Sequence, residues 1–231
     1  MLGSDLAIIN SYTDGLAAAL VGPRRLRADL VTEARDSLMD AAMAHLDSGM
    51  RPGDAVRRAV DEFGHYRDIV PGYQAELAAA QGRRTALLMA IALPLLHLLA
   101  PLMWLGAPWQ GSRPPVDGYY TLARNFDYLS LGASAIAVLA LLGFGWGSRF
   151  VGDAVRYARA VGVSVLVFLA LHGATGALVY GLSMYQWPGT LSWPPMLIGT
   201  AVNLSAFGYA ALTAWRCVAA ATPGLRRVSA A

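Results

Sequence analysis

Two histidines stand inside apolar runs, where a polar or ionisable side chain is costly enough to need a reason. His97 lies about midway along one run and His172 about midway along another. These are the first and third of four such runs, so if each crosses a bilayer the two imidazoles run to similar depth. Imidazoles at matched depth on two helices could ligate a haem between them or pass a proton along. The plainer alternative satisfies each ring with a neighbouring hydroxyl or carbonyl, and Asn203 and Ser205 in the fourth run offer similar hydrogen bonds between helices. Elsewhere the chemistry is thinner. His45 and His65, with Asp47, Asp61 and Asp68, lack the compact spacing of a zinc site. The sequence holds no phosphate-binding loop, no glycine-rich dinucleotide fingerprint and no GxSxG nucleophile, so the expectation is a protein that is not an enzyme and needs no metal or cofactor.

The elements that would carry these residues divide at Arg83 and Arg84. Before that pair the sequence is charged and patterned for helices in water; after it come four apolar stretches. Of 231 residues, 56% are hydrophobic and 14% charged, which is too apolar for an ordinary soluble protein. A helix needs about 20 apolar residues to cross the hydrocarbon core. Spans are therefore expected at about 85–106, 128–147, 161–184 and 195–218. The fold class is all-α: a helical domain over 1–82, a four-span bundle over 83–218 and a tail over 219–231. Pro94 and Pro101 should bend the first span, since each removes a backbone donor.

Charge placement gives an orientation. All 18 basic residues are Arg. Arg83, Arg84, Arg149, Arg156, Arg159, Arg216, Arg226 and Arg227 fall on one side of the four spans, against Arg113 and Arg124 on the other. Basic loops stay in the cytoplasm, so both termini are expected there. Trp104, Trp109, Tyr119, Tyr120, Tyr185, Trp187 and Trp193 crowd the opposite ends, where amphipathic rings anchor a bundle at the interface. The connection from Ala107 to Asp127 is long enough to be a sensor or merely a link. A single cysteine, Cys217, excludes an intrachain disulfide. No basic stretch followed by an apolar run opens the sequence, so the first span is expected to act as the targeting signal.

Four helices are legible before the first span. Leu6, Ile9, Thr13, Leu16 and Leu20 form a stripe on the first, and Gly22 with Pro23 restarts the chain. The second carries Leu26, Leu30, Ala34, Leu38, Ala41 and Leu46 to about Ser48. Gly49 stops it, Pro52 and Asp54 open the third, and Gly64 ends that one after Phe63. A fourth begins near Tyr66 and heads for the membrane, continuous with the first span. Residues 1–84 hold 10 Arg against 12 acidic residues, a balance of −2, which disfavours nucleic acid. The candidate partner face is Arg27, Glu33, Asp36 and Asp40 on the second helix, with Phe63 and Gly64.

The order Tyr12, Leu16, Leu20, Arg27, Leu30, Glu33, Leu38, Asp40, Gly49, Ala55, Ala59, Phe63, Gly64, Ile69 and Tyr73 resembles the permease prefix domain, related to the HAAS signalling domain. The resemblance covers roughly residues 5–80, and the spacing from Glu33 to Phe63 and Gly64 is its best part. It implies a cytoplasmic regulatory module fused to membrane segments, of a kind often encoded beside PadR-type transcriptional regulators. Three functions follow as expectations. The first is a membrane-anchored regulatory protein whose helical domain binds a cytoplasmic regulatory protein, with the lipid bilayer as its surroundings and a homodimer as one packing of the spans. The second is an accessory subunit of a membrane transporter or permease. The third is a redox protein built on His97 and His172.

Overall fold

The chain folds into helices joined by short turns, and the computed structural model describes residues 3–109, 115–145 and 153–222. Among these there is no strand, in keeping with the all-α expectation. The described residues form seven α-helices in order: α1 Gly3–Ala19, α2 Arg24–Asp47, α3 Pro52–Phe63, α4 Tyr66–Leu99, α5 Tyr119–Gly145, α6 Ala154–Gln186 and α7 Pro194–Ala220. Arg113, Arg149, Arg226 and Arg227, and most of the tail, fall outside the described residues. Two compact units result, one made of residues 3–81 with 219–222 and one of residues 82–218.

In the first unit the breaks between helices come from glycine and proline. Ser48 caps α2, and Gly49 adopts a left-handed φ of 91°. Gly49 N–H then donates to the Leu46 carbonyl and Met50 N–H to the His45 carbonyl, the two bonds of a Schellman stop. Pro52 starts α3 in its first turn, where the missing N–H would have no partner anyway. Gly64 ends α3 at φ 87° and ψ 175°, a region essentially closed to residues with a Cβ. Ile9, Leu16, Leu20, Leu38, Val56 and Leu77 are fully buried and form the core. Tyr12 sits edge-on to Phe63 and Tyr66, and its hydroxyl donates to the Gly64 carbonyl over 2.9 Å. Burial pushes the Tyr12 phenol above its ordinary pKa, so the hydroxyl stays a donor. Gln74, buried on α4, closes the unit: its side chain accepts from Val21 N–H and donates to the carbonyls of Val21 and Ala220.

The second unit reverses the usual distribution of polarity. Leu98, Ile136, Leu139, Ile198 and Leu204 are exposed, while Thr85, Ser130, Ser134, His172, Ser183 and Thr213 are buried. That pattern suits a hydrocarbon solvent, which accepts apolar side chains and forces hydroxyls to find partners inside. Among the described residues four helices are long and apolar enough to cross a membrane, and the chain reads as a multi-pass membrane protein. At 1.5 Å per residue, α5 and α7 each run about 40 Å, so their ends project beyond a core about 30 Å thick.

The helices begin and end at places the apolar runs do not mark. The span from 85 lies in the second half of α4, a helix unbroken from Tyr66 to Leu99. Pro94 is accommodated within it. Pro101 does not bend the helix as expected but terminates it, in a 3-10 turn over Ala100–Met103, because its ring cannot follow an α-turn against the carbonyl four residues back. α5 begins at Tyr119 and so takes Arg124 and Asp127 out of the expected loop.

Small residues set the helix contacts. A Cβ on Gly162 of α6 would stand 3.1 Å from the Ala214 carbonyl oxygen of α7 and 2.9 Å from Val218 Cγ2. At the same crossing the Cys217 thiol donates to the Ala158 carbonyl over 3.0 Å. Ala133, Ala137 and Ala210 face the interior with Met89 and Leu93. Gly173 and Ala177 are instead exposed, with open space beside Gly173.

Candidate functional site

His97 and His172 are both drawn to α5, at positions three residues apart. His97 Nδ1 lies 3.5 Å from Asp127 Oδ1, tying α4 to α5 with an ion pair whenever the ring is protonated. His172 Nδ1 lies 3.5 Å from Ser130 Oγ, and Ser130 itself donates to the Phe126 carbonyl over 3.1 Å. The His172 ring stacks on Phe126, Phe168 and Phe207, with centroids at 4.0, 5.1 and 5.0 Å. A ring so clamped between three helices is held as a packing element, with Ser130 meeting its polar edge. Each histidine therefore has a neighbour of its own. Among the described residues no three His, Cys, Asp or Glu side chains gather as a metal site.

Asp127 and Ser130 are the residues missed from the sequence. Asp127 closes the expected connection because the apolar run begins only at 128, whereas α5 begins at Tyr119. One signal for the aromatic clamp was available: Phe168 precedes His172 by four residues, the spacing that stacks side chains on a helix face.

Polar ends of the bundle are sewn together by aromatic rings. Trp104 and Tyr119 both meet Trp187 edge-on, and Trp109 meets Trp193 in the same way. Tyr119 and Ser183 share a hydrogen bond of 2.8 Å, and Trp193 Nε1 donates to the Met103 carbonyl over 3.1 Å. Tyr120 and Tyr185 are exposed, with Tyr120 meeting Tyr119 edge-on. A cavity of about 550 Å³ between α4, α5 and α6 is lined by apolar side chains and the hydroxyls of Tyr128, Tyr157 and Ser164. It presents neither carboxylate nor imidazole.

The predicted face of α2 separates into two groups. Glu33, Asp36 and Asp40 are exposed and share one stripe with Asp29 and Asp47, since spacings of four and three residues keep returning to the same side of a helix. Exposed Met43 lies in the same stripe. None of these carboxylates takes part in an ion pair with a described residue. Leu30, Ala34, Leu38 and Ala42 bury the opposite side. Arg27 turns towards the fold, with Nη1 3.5 Å from the Leu20 carbonyl. Phe63 is half-buried against the core and Gly64 is engaged by Tyr12. The exposed side thus presents an acidic strip about 27 Å long.

Within the first unit, the acidic groups that form ion pairs among the described residues lie on α3. Glu62 accepts from Arg58 Nε over 2.7 Å and contacts His45 Nε2 at 2.9 Å, joining α3 to α2. These hydrogen bonds, His45 first, hold the Glu62 carboxyl below its ordinary pKa. Asp54 is lowered likewise, chiefly by its hydrogen bond from Arg57.

Compared with protein families, curated proteins and solved structures, the chain matches none.

Proposed function

We propose that this is a non-enzymatic regulatory protein of the bacterial inner membrane, with both termini in the cytoplasm, whose first unit binds a soluble protein through the acidic strip of α2. The observation that carries the reading is that strip. Like charges three and four residues apart cost an isolated helix about 0.2–0.5 kcal/mol per pair, a cost that packing does not require and a cationic partner would relieve. The resemblance to regulatory prefix domains supports the same class of function. So does α4, which runs without a break from the first unit into a membrane span. A partner that prefers one arrangement of that helix would shift the populations of the bundle, and the bundle would in return change the partner's affinity.

The test is co-purification of the full chain in mild detergent, compared with the variant Asp29→Asn, Glu33→Gln, Asp36→Asn, Asp40→Asn. A soluble protein with a basic surface should be retained by the first and lost from the second, and its recovery should fall with added salt. The same variant should melt no lower than the wild type, because the replaced carboxylates make no ion pair in the fold. Equal recovery with both chains, or retention of a membrane transporter by both, would sink the adaptor reading.

A further inference from the structure

Beside α4 and α7 the membrane unit carries a groove of about 430 Å³ whose lining changes character along its length. At one end Arg84 Nη2 donates to the Tyr209 hydroxyl over 2.9 Å. The rest of the wall is apolar, formed by Leu87, Ile91 and Leu95 of α4, with Thr213 of α7 near the charged end. We infer that this groove binds an anionic phospholipid, with the phosphate at Arg84 and Tyr209 and an acyl chain along Leu87, Ile91 and Leu95. It is independent of the acidic strip and of the side on which either terminus lies.

Three observations select this occupant. The first is charge. A guanidinium has five N–H donors in a fork suited to phosphate, and the Tyr209 bond uses only one. Tyr209 accepts from Arg84, so its own O–H proton remains to be donated, and the two side chains together present donors to one point. The second is length. Arg84 and Leu95 stand 11 residues apart, or about 16 Å along the helix, close to the roughly 15 Å depth of one leaflet. The third is exposure: Arg84, Leu87, Ile91 and Leu95 are all exposed along one side of α4, so the groove opens to the surrounding lipid along its whole length. A soluble anion would use the first of these features and leave the other two without purpose.

The experiment is native mass spectrometry of the full chain in detergent with phosphatidylglycerol or phosphatidylcholine added at equal concentration. The wild type should retain one phosphatidylglycerol in preference to phosphatidylcholine. Arg84→Gln should reduce that preference about fivefold, the factor for one basic group near a lipid surface. Ile91→Trp, which fills the apolar part and leaves the charge alone, should weaken retention of phosphatidylglycerol, and Arg156→Gln should leave it unchanged. Arg84→Lys serves if Arg84→Gln does not fold, and should keep part of the preference through its charge. No preference in the wild type overturns the inference, as does a preference untouched by both Arg84 and Ile91 variants. Displacement by excess inorganic phosphate also overturns it, because the seat would then recognise an anion without its chain.

Discussion

Glu62 receives hydrogen bonds from two helices, and its behaviour with pH follows from that. Its folded pKa lies below the ordinary 4.5, so its contribution to stability is fully present above that value and is lost as pH falls through the lower, folded value. Glu62→Gln should therefore lower the melting temperature near neutrality, and the difference from wild type should shrink as acidification carries the pH through the lowered pKa. The carboxylate is exposed, so added salt should also shrink the difference. Gly64 makes a sharper prediction. Its backbone sits where a Cβ is strained, so Gly64→Ala should cost about 1–3 kcal/mol of unfolding free energy in denaturant titrations. Tyr12→Phe, which deletes the bond to that same carbonyl, should cost about 1 kcal/mol. Gly64 was readable from the sequence as a helix stop. That its carbonyl is also the acceptor for a tyrosine 52 residues away was not, because hydrogen bonds between distant segments leave no local pattern.

The helices of the first unit were legible because glycine and proline punctuate them: Gly22 with Pro23, Gly49, Pro52 and Gly64 each lie within a few residues of an observed end. The membrane helices were legible in number and less so in extent. Hydropathy marks only the part of a helix that lies in hydrocarbon, so the first turns of α5 and α6, with Arg124, Asp127, Arg156 and Arg159, read as loops. Small residues posed a different difficulty, since a one-dimensional pattern cannot say which side of a helix faces a neighbour. The crossing of α6 and α7 now distinguishes them. Gly162→Ala should destabilise the bundle by about 1–3 kcal/mol, the range for overpacking a close contact. Gly173→Ala, with nothing near its added methyl, should be neutral or slightly stabilising. Thermal unfolding of the two variants in one detergent checks both.

Across the whole chain, polarity is segregated by solvent. The first unit buries leucines and exposes carboxylates, while the second exposes leucines and buries hydroxyls and an imidazole. The histidines illustrate what the sequence could and could not give. Their places within apolar runs were visible from the sequence, but that His97 lies in the last turn of α4 while His172 lies mid-way along α6 was not. Their separate neighbours, Asp127 and Ser130, depended on α5 beginning two turns before its apolar stretch. If His172 is a packing element, the purified protein should be colourless and His172→Phe should retain the fold, whereas a chromophore lost from that variant would revive the redox reading.

Gln74 has a consequence for how the molecule is made. Two of its three hydrogen bonds are to Val21, available once the first 74 residues have left the ribosome, but the third is to the Ala220 carbonyl at the last residue of α7. That acceptor is synthesised nearly 150 residues later, after all four spans have been translated. The amide must wait for it in water, and the interior of the first unit is sealed only when biogenesis of the last span is complete. A chain halted before that span would carry its first unit with this latch unfastened.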